Sequence, residues 1–291
     1  MITVKAPAKI NLTLDITGKR PDGYHDVAMV MQTVSLYDTV TVDFAAGEGD
    51  TVAVTCPAYP DVPCDGSNIV CKAARAFYQQ TKAAPRPLTI HIDKEIPTQA
   101  GLAGGSSDGA AVVLALNQLF ETHLTMQEMA DICARFGSDV PFCLLGGTML
   151  ATGTGTTLKK LASMPKCYIV ICKPELSVST AEAYARCDAR PAKDFLYTDE
   201  LVKQLYSRDI RGMSTCLYNE FEQVMELDEI TEIKRTMLRA KALGASMSGS
   251  GSAVYGIFNN GKKAQACVNI LKEKYNRVFL TQPTKTGCFI E

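Results

Sequence analysis

Apolar and polar residues alternate through much of the first third of the chain, with the period of two that β-strands require. The segments that alternate or are rich in β-branched residues are 10–16 (INLTLDI), 27–44 (VAMVMQTVSLYDTVTVDF) and 88–93 (LTIHID). Helical spacing marks 67–82 (SNIVCKAARAFYQQTK), 110–120 (AAVVLALNQLF) and 122–137 (THLTMQEMADICARFG). The second of these is apolar almost all round, which predicts a helix buried in the core. Ser67 is placed to cap the first helix, and Thr125 with Glu128 forms a capping box in the third, with Gly137 as its stop.

A Gly/Thr-rich segment at 152–166 interrupts these patterns, and we place a domain boundary there. It divides the chain into an N-terminal domain of residues 1–157 and a C-terminal domain of residues 158–291. The elements expected in the second domain are strands at 167–172 (CYIVIC), 252–258 (SAVYGIF) and 277–281 (RVFLT), and helices over roughly 215–243 and from 262 to about 275. Alternating strands and helices predict an α/β (α+β) chain, and the second domain fits a ferredoxin-like arrangement.

Charge balance, apolar runs and cysteine usage bear on the partners and the location of the protein. The chain has 291 residues, 46% of them hydrophobic and 21% charged, with 30 Lys and Arg against 31 Asp and Glu. This near-neutral balance gives no reason to expect a nucleic-acid or membrane-surface partner, and no apolar run approaches the roughly 18 residues of a membrane helix. Eleven cysteines without a CxxC pair, and an N-terminus without signal-peptide features, predict a cytoplasmic protein with reduced, mostly buried thiols. The oligomeric state is left open.

A stretch rich in glycine and serine, residues 100–111 (AGLAGGSSDGAA), separates the strand at 88–93 from the buried helix. The free N–H groups and positive dipole end at a helix N-terminus bind anions, and glycines let phosphate oxygens approach the backbone. Ser106 and Ser107 can cap the helix or offer hydroxyls to a phosphate or its metal. The stretch therefore predicts a phosphate site, with a flexible, serine-capped turn as the alternative.

Two familiar phosphate-binding motifs are missing from the sequence. No G-x-G-x-x-G follows a strand, and in GIFNNGKK (256–263) Lys263 replaces the hydroxyl that a P-loop requires. Neither a dinucleotide-binding fold nor a P-loop is therefore expected.

Three other segments carry candidate chemistry. Residues 244–258 (GASMSGSGSAVYGIF) contain a second Gly/Ser cluster, whose N–H groups could close over phosphates or form only a tight turn. Asp139 precedes Pro141 on a rigid turn, where a carboxylate can act as a general base or simply cap a helix. Lys9 and Asn11 lie two apart on one strand face, although Lys9 alone would be an ordinary exposed strand lysine.

Together these motifs resemble those of the GHMP kinases. PTQAGLAGGSSDGAA (97–111) resembles the P-x-x-x-G-L-[GA]-G-G-S-S motif of these small-molecule kinases, and MSGSG (247–251) resembles their third motif. KAPAKINLTLDITGKRPDGYH (5–25) and GSDVPF (137–142) narrow the resemblance to members whose acceptor is a cytidine-diphosphate alcohol. The resemblance implies a two-domain fold, with an N-terminal α/β domain and a ferredoxin-like C-terminal domain around a cleft. It also implies transfer of a phosphate from ATP to a hydroxyl of the acceptor.

The resemblance implies roles for individual residues. Asp139 would accept the hydroxyl proton, and Lys9 would hold Asp139 ionised and orient the hydroxyl. Tyr24 would stack on the cytidine base and His25 would hydrogen-bond it. The other acceptor contacts would be Asn11, Thr180 and Tyr184. The ATP-binding residues would be Pro97, Thr98, Gln99, Ala100, Gly101, Leu102, Ala103, Gly104, Gly105, Ser106 and Ser107, with Asn68, Lys94 and Asp108 beside the nucleotide.

Mg²⁺ is expected because ATP carries it, but no acidic ligand stands out, so the metal ligands stay unassigned. Three departures from the family pattern leave the catalytic groups in place. Ala103 replaces a common glycine, Gly109 stands where alanine is usual, and Ser252 replaces a proline.

Two alternatives to this function remain. One is another GHMP kinase, for homoserine, mevalonate or a sugar, and RPDGYH (20–25) argues against it. The other is a nucleotide-binding relative that has lost catalysis, and the presence of both Lys9 and Asp139 argues against that.

Overall fold

The computed structural model describes residues 1–189, 195–225 and 227–291. Two long antiparallel strands, β1 (Ile2–Lys19) and β2 (His25–Phe44), run through the middle of the larger sheet. Its other strands are β3 (Val52–Thr55), β4 (Leu88–Asp93), β5 (Thr148–Gly153), β6 (Thr157–Lys160), β8 (Tyr218–Asn219) and β12 (Phe289–Ile290). The strand order is β12-β1-β2-β4-β3, with β5 beside β2, β6 beside β5, and β8 beside β1.

The smaller sheet has four strands in the described part of the chain. They are β7 (Tyr168–Lys173), β9 (Gly244–Met247), β10 (Val254–Phe258) and β11 (Arg277–Thr281), in the order β11-β7-β10-β9. All neighbours are antiparallel. Helices separate β7 from β9 and β10 from β11, so the chain follows the β-α-β-β-α-β sequence of a ferredoxin-like unit. The predicted α/β (α+β) class and the ferredoxin-like second half are confirmed.

The first four helices of the described chain precede β5, and the later ones follow β7. The first four are α1 (Ile69–Thr81), α2 (Gly104–Leu119), α3 (Met126–Cys133) and α4 (Val140–Leu145). The later ones are α5 (Thr180–Asp188), α6 (Tyr197–Ser207), α7 (Ile210–Thr215), α8 (Glu220–Val224), α9 (Asp228–Arg239) and α10 (Gly261–Lys272). Of these, α2 contacts β1, β2 and its three neighbouring helices. This central position explains why its sequence is apolar on nearly every side.

The predicted helix ends are partly right. Thr125 and Glu128 form the expected capping box of α3. Ser67 does not cap α1, because its N–H and hydroxyl both bond to Asp65 and the cap is Asn68. No side chain caps α2, whose N-cap residue is Ala103 in a left-handed conformation. Of the two uses that the sequence left open for Ser106 and Ser107, capping of this helix is therefore excluded.

The long helix predicted over roughly 215–243 is interrupted. Within that span Tyr218 pairs with Thr13 of β1, and the short strand β8 separates two helices. Tertiary pairing with β1 overrides the helical spacing here, as it often overrides local propensity. Glu226 of the predicted span lies outside the described residues.

The division into residues 1–157 and 158–291 stays a proposal. β6 ends at Lys160 and β7 begins at Tyr168, so the change of sheet falls close to the predicted boundary. However, β8 and β12 belong to the larger sheet although they come later in the chain. Among the helices that the structure describes, none combines the length and apolar character that crossing a membrane demands.

Candidate active site

Residues of both predicted domains line a cavity of about 1100 Å³. Its wall is formed by β1, the start of β2, the loop after β4, the first turn of α2, the segment before α4, helix α5 and the β9–β10 loop. The predicted site residues that line it are Lys9, Asn11, Tyr24, His25, Asn68, Lys94, Pro97, Thr98, Gln99, Ala100, Gly101, Ala103, Gly104, Gly105, Ser106, Asp108, Asp139, Thr180 and Tyr184. Leu102 and Ser107 are buried and do not line it. Nearly all the residues predicted from separate motifs thus share one cavity.

Lys9 and Asp139 form an ion pair in this cavity. Lys9 Nζ lies 3.6 Å from Asp139 Oδ2, and only 4% of Lys9 is exposed. Lys9 is therefore not the ordinary exposed strand lysine that its position alone allowed. Asp139 is the N-cap residue of α4, but its side chain makes no cap hydrogen bond. Its carboxylate is therefore free to face Lys9 and a bound substrate.

Asn11 supports Lys9 from the next position on the same strand face. Its Oδ1 accepts a hydrogen bond from Lys9 Nζ at 2.6 Å, and its Nδ2 contacts Met29 Sδ at 3.1 Å. The backbone of Asn11 is fixed by the hydroxyls of Ser248 and Tyr255. The side-chain oxygen of Asn11 thus holds the ammonium group of Lys9, and its side-chain nitrogen contacts Met29.

The glycine-rich loop leads into α2 through an irregular backbone. Gln99, Gly101 and Ala103 all have φ between 50° and 72°, in the left-handed region. A Cβ on Gly101 would collide with the carbonyl of Ser248, so this position requires glycine. Gly105, by contrast, is exposed, and the nearest atom to an added Cβ would be Ile69 Cγ2 at 3.9 Å. The first turn of α2 is thus accessible from the cavity and its N–H groups have no side-chain cap.

The MSGSG loop between β9 and β10 is hydrogen-bonded to the glycine-rich loop. Ser248 Oγ donates to the carbonyl of Gly101 at 2.9 Å, and Ala253 N donates to the carbonyl of Ala100 at 3.1 Å. Gly249 lines the cavity, and a Cβ there would lie 3.4 Å from Lys9 Nζ. The two Gly/Ser segments, about 150 residues apart in sequence, therefore form one continuous surface beside Lys9.

Asn219 holds the MSGSG loop from behind. It is fully buried, and its Nδ2 donates to the carbonyls of Met247 and Gly249 at 2.8 Å each. Its Oδ1 accepts from Phe221 N and so caps α8. Sequence reasoning missed this residue, because a lone asparagine before a short helix carries no signal for contacts made 30 residues away.

A buried charged cluster lies beneath the glycine-rich loop. Lys94 Nζ bonds to Asp38 Oδ2 at 2.5 Å and to Asp108 Oδ2 at 2.8 Å. Asp38 Oδ1 also accepts the backbone N–H groups of Glu95 and Ile96. The cluster therefore fixes the start of the loop and the second turn of α2 to β2. Asp38 was not identified from the sequence, since nothing in its strand distinguishes it from an exposed aspartate.

The protonation of this cluster follows from its burial. Burial alone would lower the pKa of Lys94, but the carboxylates of Asp108 and Asp38 raise it, so Lys94 stays charged. Burial and the neighbouring Asp38 raise the pKa of Asp108 well above its ordinary value. Asp108 Oδ1 is buried and has no hydrogen-bond partner within the described structure. One ammonium group thus faces two buried carboxylates, whose mutual repulsion contributes to the raised pKa of Asp108.

Asn68 lines the cavity where α1 begins. Its Oδ1 caps α1 through Val70 N at 3.0 Å, and its Nδ2 donates to the carbonyl of Pro63 at 2.5 Å. An amide group has one further donor and one further acceptor position. Contact with a nucleobase, as the sequence predicted, is therefore still sterically and chemically open to it.

Aromatic side chains form another part of the cavity wall, called here the aromatic end. Tyr24 is 67% exposed, and the ring of His25 stacks on Tyr184 with centroids 4.4 Å apart and an interplanar angle of 17°. The edge of Phe221 meets Tyr184 at 4.9 Å. Tyr24, His25 and Tyr184 thus line the same cavity, and their contact with a base stays a prediction. Thr180, four residues before Tyr184 on α5, also lines the cavity, and its hydroxyl lies 2.8 Å from that of Ser250 on the MSGSG loop.

Two family models match the chain. Residues 68–147 match the model described as GHMP kinases N terminal domain. Residues 201–277 match the one described as GHMP kinases C terminal. Together the two matches cover more than half of the chain.

Individual relatives agree with these models. The protein named 4-diphosphocytidyl-2-C-methyl-D-erythritol kinase from Alkaliphilus metalliredigens is 38% identical over 283 residues, covering 97% of this chain and 96% of the relative. The crystal structure of a 4-(cytidine 5'-diphospho)-2C-methyl-D-erythritol kinase is similar with a TM-score of 0.81 and 29% identity, covering 97% of this chain and 99% of that one. A homoserine kinase from Cytophaga hutchinsonii has a TM-score of 0.80 at 19% identity, covering 100% and 97%. This last similarity shows the fold alone.

Proposed function

The chain belongs to the GHMP kinases, and from that premise we propose that it transfers the γ-phosphate of ATP to the 2-hydroxyl of 4-diphosphocytidyl-2-C-methyl-D-erythritol, in the non-mevalonate route to isoprenoid precursors. The observation that carries the proposal is that one cavity contains both the Lys9–Asp139 pair and the aromatic end with Tyr24. A kinase for a cytidine-containing alcohol needs both, since the pair activates a hydroxyl and the aromatic end holds a base. Relatives about 40% identical over nearly the whole chain carry the name of this enzyme.

In the proposed reaction, ATP binds with its phosphates on the glycine-rich loop and the MSGSG loop. The N–H groups at the start of α2, and those of Gly249 and Ser250 in the MSGSG loop, supply donors to the phosphate oxygens. Transfer of a phosphoryl group depends mainly on positioning and on stabilising negative charge. Preformed backbone donors meet that requirement because they need little rearrangement during the reaction.

Asp139 acts in this proposal as the proton acceptor. As the 2-hydroxyl oxygen bonds to the γ-phosphorus, its proton passes to Asp139, the bond to the β-phosphate oxygen breaks, and ADP leaves. Lys9 orients the hydroxyl and balances the charge of Asp139 at 3.6 Å. Asn11, bonded to Lys9 at 2.6 Å, keeps the ammonium group in place.

Mg²⁺ bound with ATP is part of the proposal. Within the described chain no three acidic, histidine or cysteine side chains converge as a ready metal site. This suits a metal that is held largely by nucleotide phosphates and water. Ser106, whose side chain belongs to the cavity wall in the first turn of α2, would add a hydroxyl ligand. When bound, Mg²⁺ would neutralise negative charge on the phosphates.

At the other end, Tyr24 and Tyr184 would hold the cytidine base and His25 would hydrogen-bond it. Two tyrosine rings and an imidazole lining one end of the cavity support this assignment. We further propose a cytoplasmic location, supported by the eleven cysteines of the chain, nine of which are buried.

A panel of acceptors tests the proposed function. The purified protein with ATP and Mg²⁺ is offered 4-diphosphocytidyl-2-C-methyl-D-erythritol, homoserine or mevalonate, and ADP release is measured together with the ³¹P NMR spectrum of the product. We expect ADP and a new phosphate monoester with the cytidine acceptor alone. ADP release with homoserine or mevalonate instead would favour another GHMP kinase. ATP binding without turnover on any acceptor would favour a non-catalytic relative.

A further inference from the structure

A charged cluster closes the aromatic end of the cavity, and it was not identified from the sequence. Asp188 Oδ1 lies 2.7 Å from His25 Nε2, and Asp188 Oδ2 lies 2.5 Å from Lys19 Nζ. All three residues line the cavity. The side chain of His25 is 8% exposed and that of Asp188 is 27% exposed. The carboxylate of Asp188 is thus partly shielded from water at the edge of the proposed cytidine site.

The cluster joins the two halves of the chain. Lys19 and His25 pair with each other where β1 ends and β2 begins, while Asp188 is the last residue of α5. The stacking of His25 on Tyr184, four residues earlier on the same helix, fixes the plane of the imidazole ring. The imidazole ring is therefore held on its face by Tyr184 and at Nε2 by Asp188.

The chemistry of Asp188 decides which nitrogen of His25 carries the proton. Hydrogen bonds from Lys19 and then from His25 lower the pKa of Asp188, so its carboxylate is ionised at neutral pH. An ionised carboxylate only accepts hydrogen bonds. Nε2 of His25 must therefore be the N–H donor, and in the neutral imidazole Nδ1 is left as an acceptor. Within the described structure, Nδ1 has no hydrogen-bond partner of its own.

We propose that Asp188, held by Lys19, is a positioning residue that makes Nδ1 of His25 a hydrogen-bond acceptor for an exocyclic amine on the acceptor's base. Cytosine presents such an amine at N4, whereas a pyrimidine with a carbonyl at position 4 presents an acceptor there. Two acceptors facing each other leave a buried group unpaired, which is costly. The dyad of Asp188 and His25 thus selects a cytidine-diphosphate acceptor over its uridine counterpart. This inference rests on the proposed function for the identity of the ligand.

The test compares four proteins: the parent, Asp188→Ala, Asp188→Asn and Glu182→Ala. Glu182 is an exposed carboxylate on the same helix that pairs with Arg186 and does not line the cavity, so its removal is the matched control. Binding of CDP and UDP is measured by calorimetry. Phosphorylation kinetics use the cytidine acceptor and its uridine analogue. The imidazole ¹⁵N chemical shifts of His25 report the tautomer, and only three histidines need assignment.

We expect the parent and Glu182→Ala to show the Nε2–H tautomer and a preference for the cytidine ligand. Asp188→Ala should show mixed tautomers, a KM for the cytidine acceptor raised about three- to ten-fold, and a cytidine preference reduced by a similar factor. Its kcat and its KM for ATP should not change. Asp188→Asn, which keeps the shape and one acceptor oxygen, should lie between parent and Asp188→Ala.

Separate results would overturn the inference and the proposed function. An unchanged tautomer together with an unchanged CDP-to-UDP ratio in folded Asp188→Ala would overturn the role of Asp188. A parent that phosphorylates neither acceptor would overturn the proposed function, while the nucleotide-binding and NMR measurements would still decide the role of Asp188.

Discussion

Asp139 stands at the start of α4 without capping it, and its carboxylate faces the buried ammonium of Lys9 instead. A cap bond to its own helix would have competed with the hydroxyl proton for the same oxygen atoms. The side chain is 32% exposed, so a substrate can reach it. These features suit a residue that accepts a proton, and they can be tested by a substitution that keeps its shape.

We predict that Asp139→Asn lowers kcat for the cytidine acceptor by about 10²–10⁴-fold, because the amide fills the same space but cannot take the proton. The affinity for ATP, measured by calorimetry, should stay close to that of the parent. Asp131→Asn is the control, since Asp131 is an exposed aspartate of α3. Retention of a turnover within a few-fold of the parent by Asp139→Asn would show that another group accepts the proton.

Tyr24 gives a second prediction at the residue scale. Its ring is 67% exposed at the mouth of the cavity, so a base can lie against it. Base–aromatic stacking contributes about 1–3 kcal/mol, so Tyr24→Ala should raise the KM for the cytidine acceptor roughly five- to a hundred-fold. Tyr24→Phe keeps the ring face and should cost little. The KM for ATP should hardly change in either variant, and an unaltered acceptor KM in folded Tyr24→Ala would remove Tyr24 from the base site.

The residues that sequence reasoning predicted differ in kind from those it missed. Lys9, Asp139 and Tyr24 lie in local motifs, so the printed sequence alone marks them. Asn219 and Asp188 act through partners on distant elements, and their own neighbourhoods in sequence are unremarkable helix ends. Such pairings depend on how the sheets and helices pack, which local patterns do not specify.

At the scale of elements, the start of α2 depends on glycines for two different reasons. Gly101 has a φ of 72° and touches the Ser248 backbone, so its requirement comes from the protein itself. Gly105 has an ordinary backbone conformation and open space around an added Cβ, apart from Ile69 at 3.9 Å. The protein itself leaves room for a larger side chain at position 105, so a requirement for glycine there would come from the close approach of a ligand.

We therefore predict opposite effects of Gly105→Ala on stability and binding. Alanine favours a helix by about 1 kcal/mol over glycine, so the free energy of unfolding should be equal to or above that of the parent. The added methyl group should hinder phosphate oxygens and raise the KM for ATP about ten-fold. Thermal unfolding and ATP titration on the same preparation measure both. An unchanged KM for ATP would exclude the first turn of α2 from the phosphate site.

Elements with a strong local pattern were predicted closely, and elements defined by tertiary contacts were not. β4 and β11 match the predicted spans 88–93 and 277–281, because alternation and β-branched residues act within the segment itself. The expected helix over 215–243 fails where β8 pairs with β1. The cap of α1 was misplaced by one residue, because Ser67 is engaged by Asp65.

At the scale of the whole molecule, buried thiols make the fold sensitive to alkaline pH. Burial raises the pKa of Cys167, Cys172 and Cys288 to about 12, against an ordinary value of 9.0. Between these values the unfolded chain loses thiol protons that the folded chain keeps. The folded state is therefore favoured fully below pH 9 and progressively less above it.

We predict that the free energy of unfolding falls as pH rises above 9, by about 4 kcal/mol per pH unit for these three thiols together. Urea unfolding in the presence of a reductant at pH 7.5, 9 and 10.5 measures the decline. Cys172→Ala should reduce the slope by about 1.4 kcal/mol per pH unit, the share of one thiol, whereas Cys64→Ala, which removes an exposed thiol, should leave it unchanged. A free energy of unfolding that stays constant up to pH 10.5 would contradict this prediction.

The loops that line the cavity come from both sheets, which would let one cavity hold both proposed substrates at once. The glycine-rich loop comes from the larger sheet and the MSGSG loop from the smaller one, and hydrogen bonds between them place both beside Lys9. Direct transfer from ATP to the acceptor requires that both occupy this cavity together. A phosphorylated intermediate on Asp139 would instead allow ADP to leave before the acceptor binds.

Initial rates over a matrix of ATP and cytidine-acceptor concentrations distinguish these two cases. Direct transfer predicts intersecting lines in double-reciprocal plots and no exchange of label between ADP and ATP without the acceptor. Parallel lines accompanied by such exchange would contradict direct transfer through Asp139 as a proton acceptor.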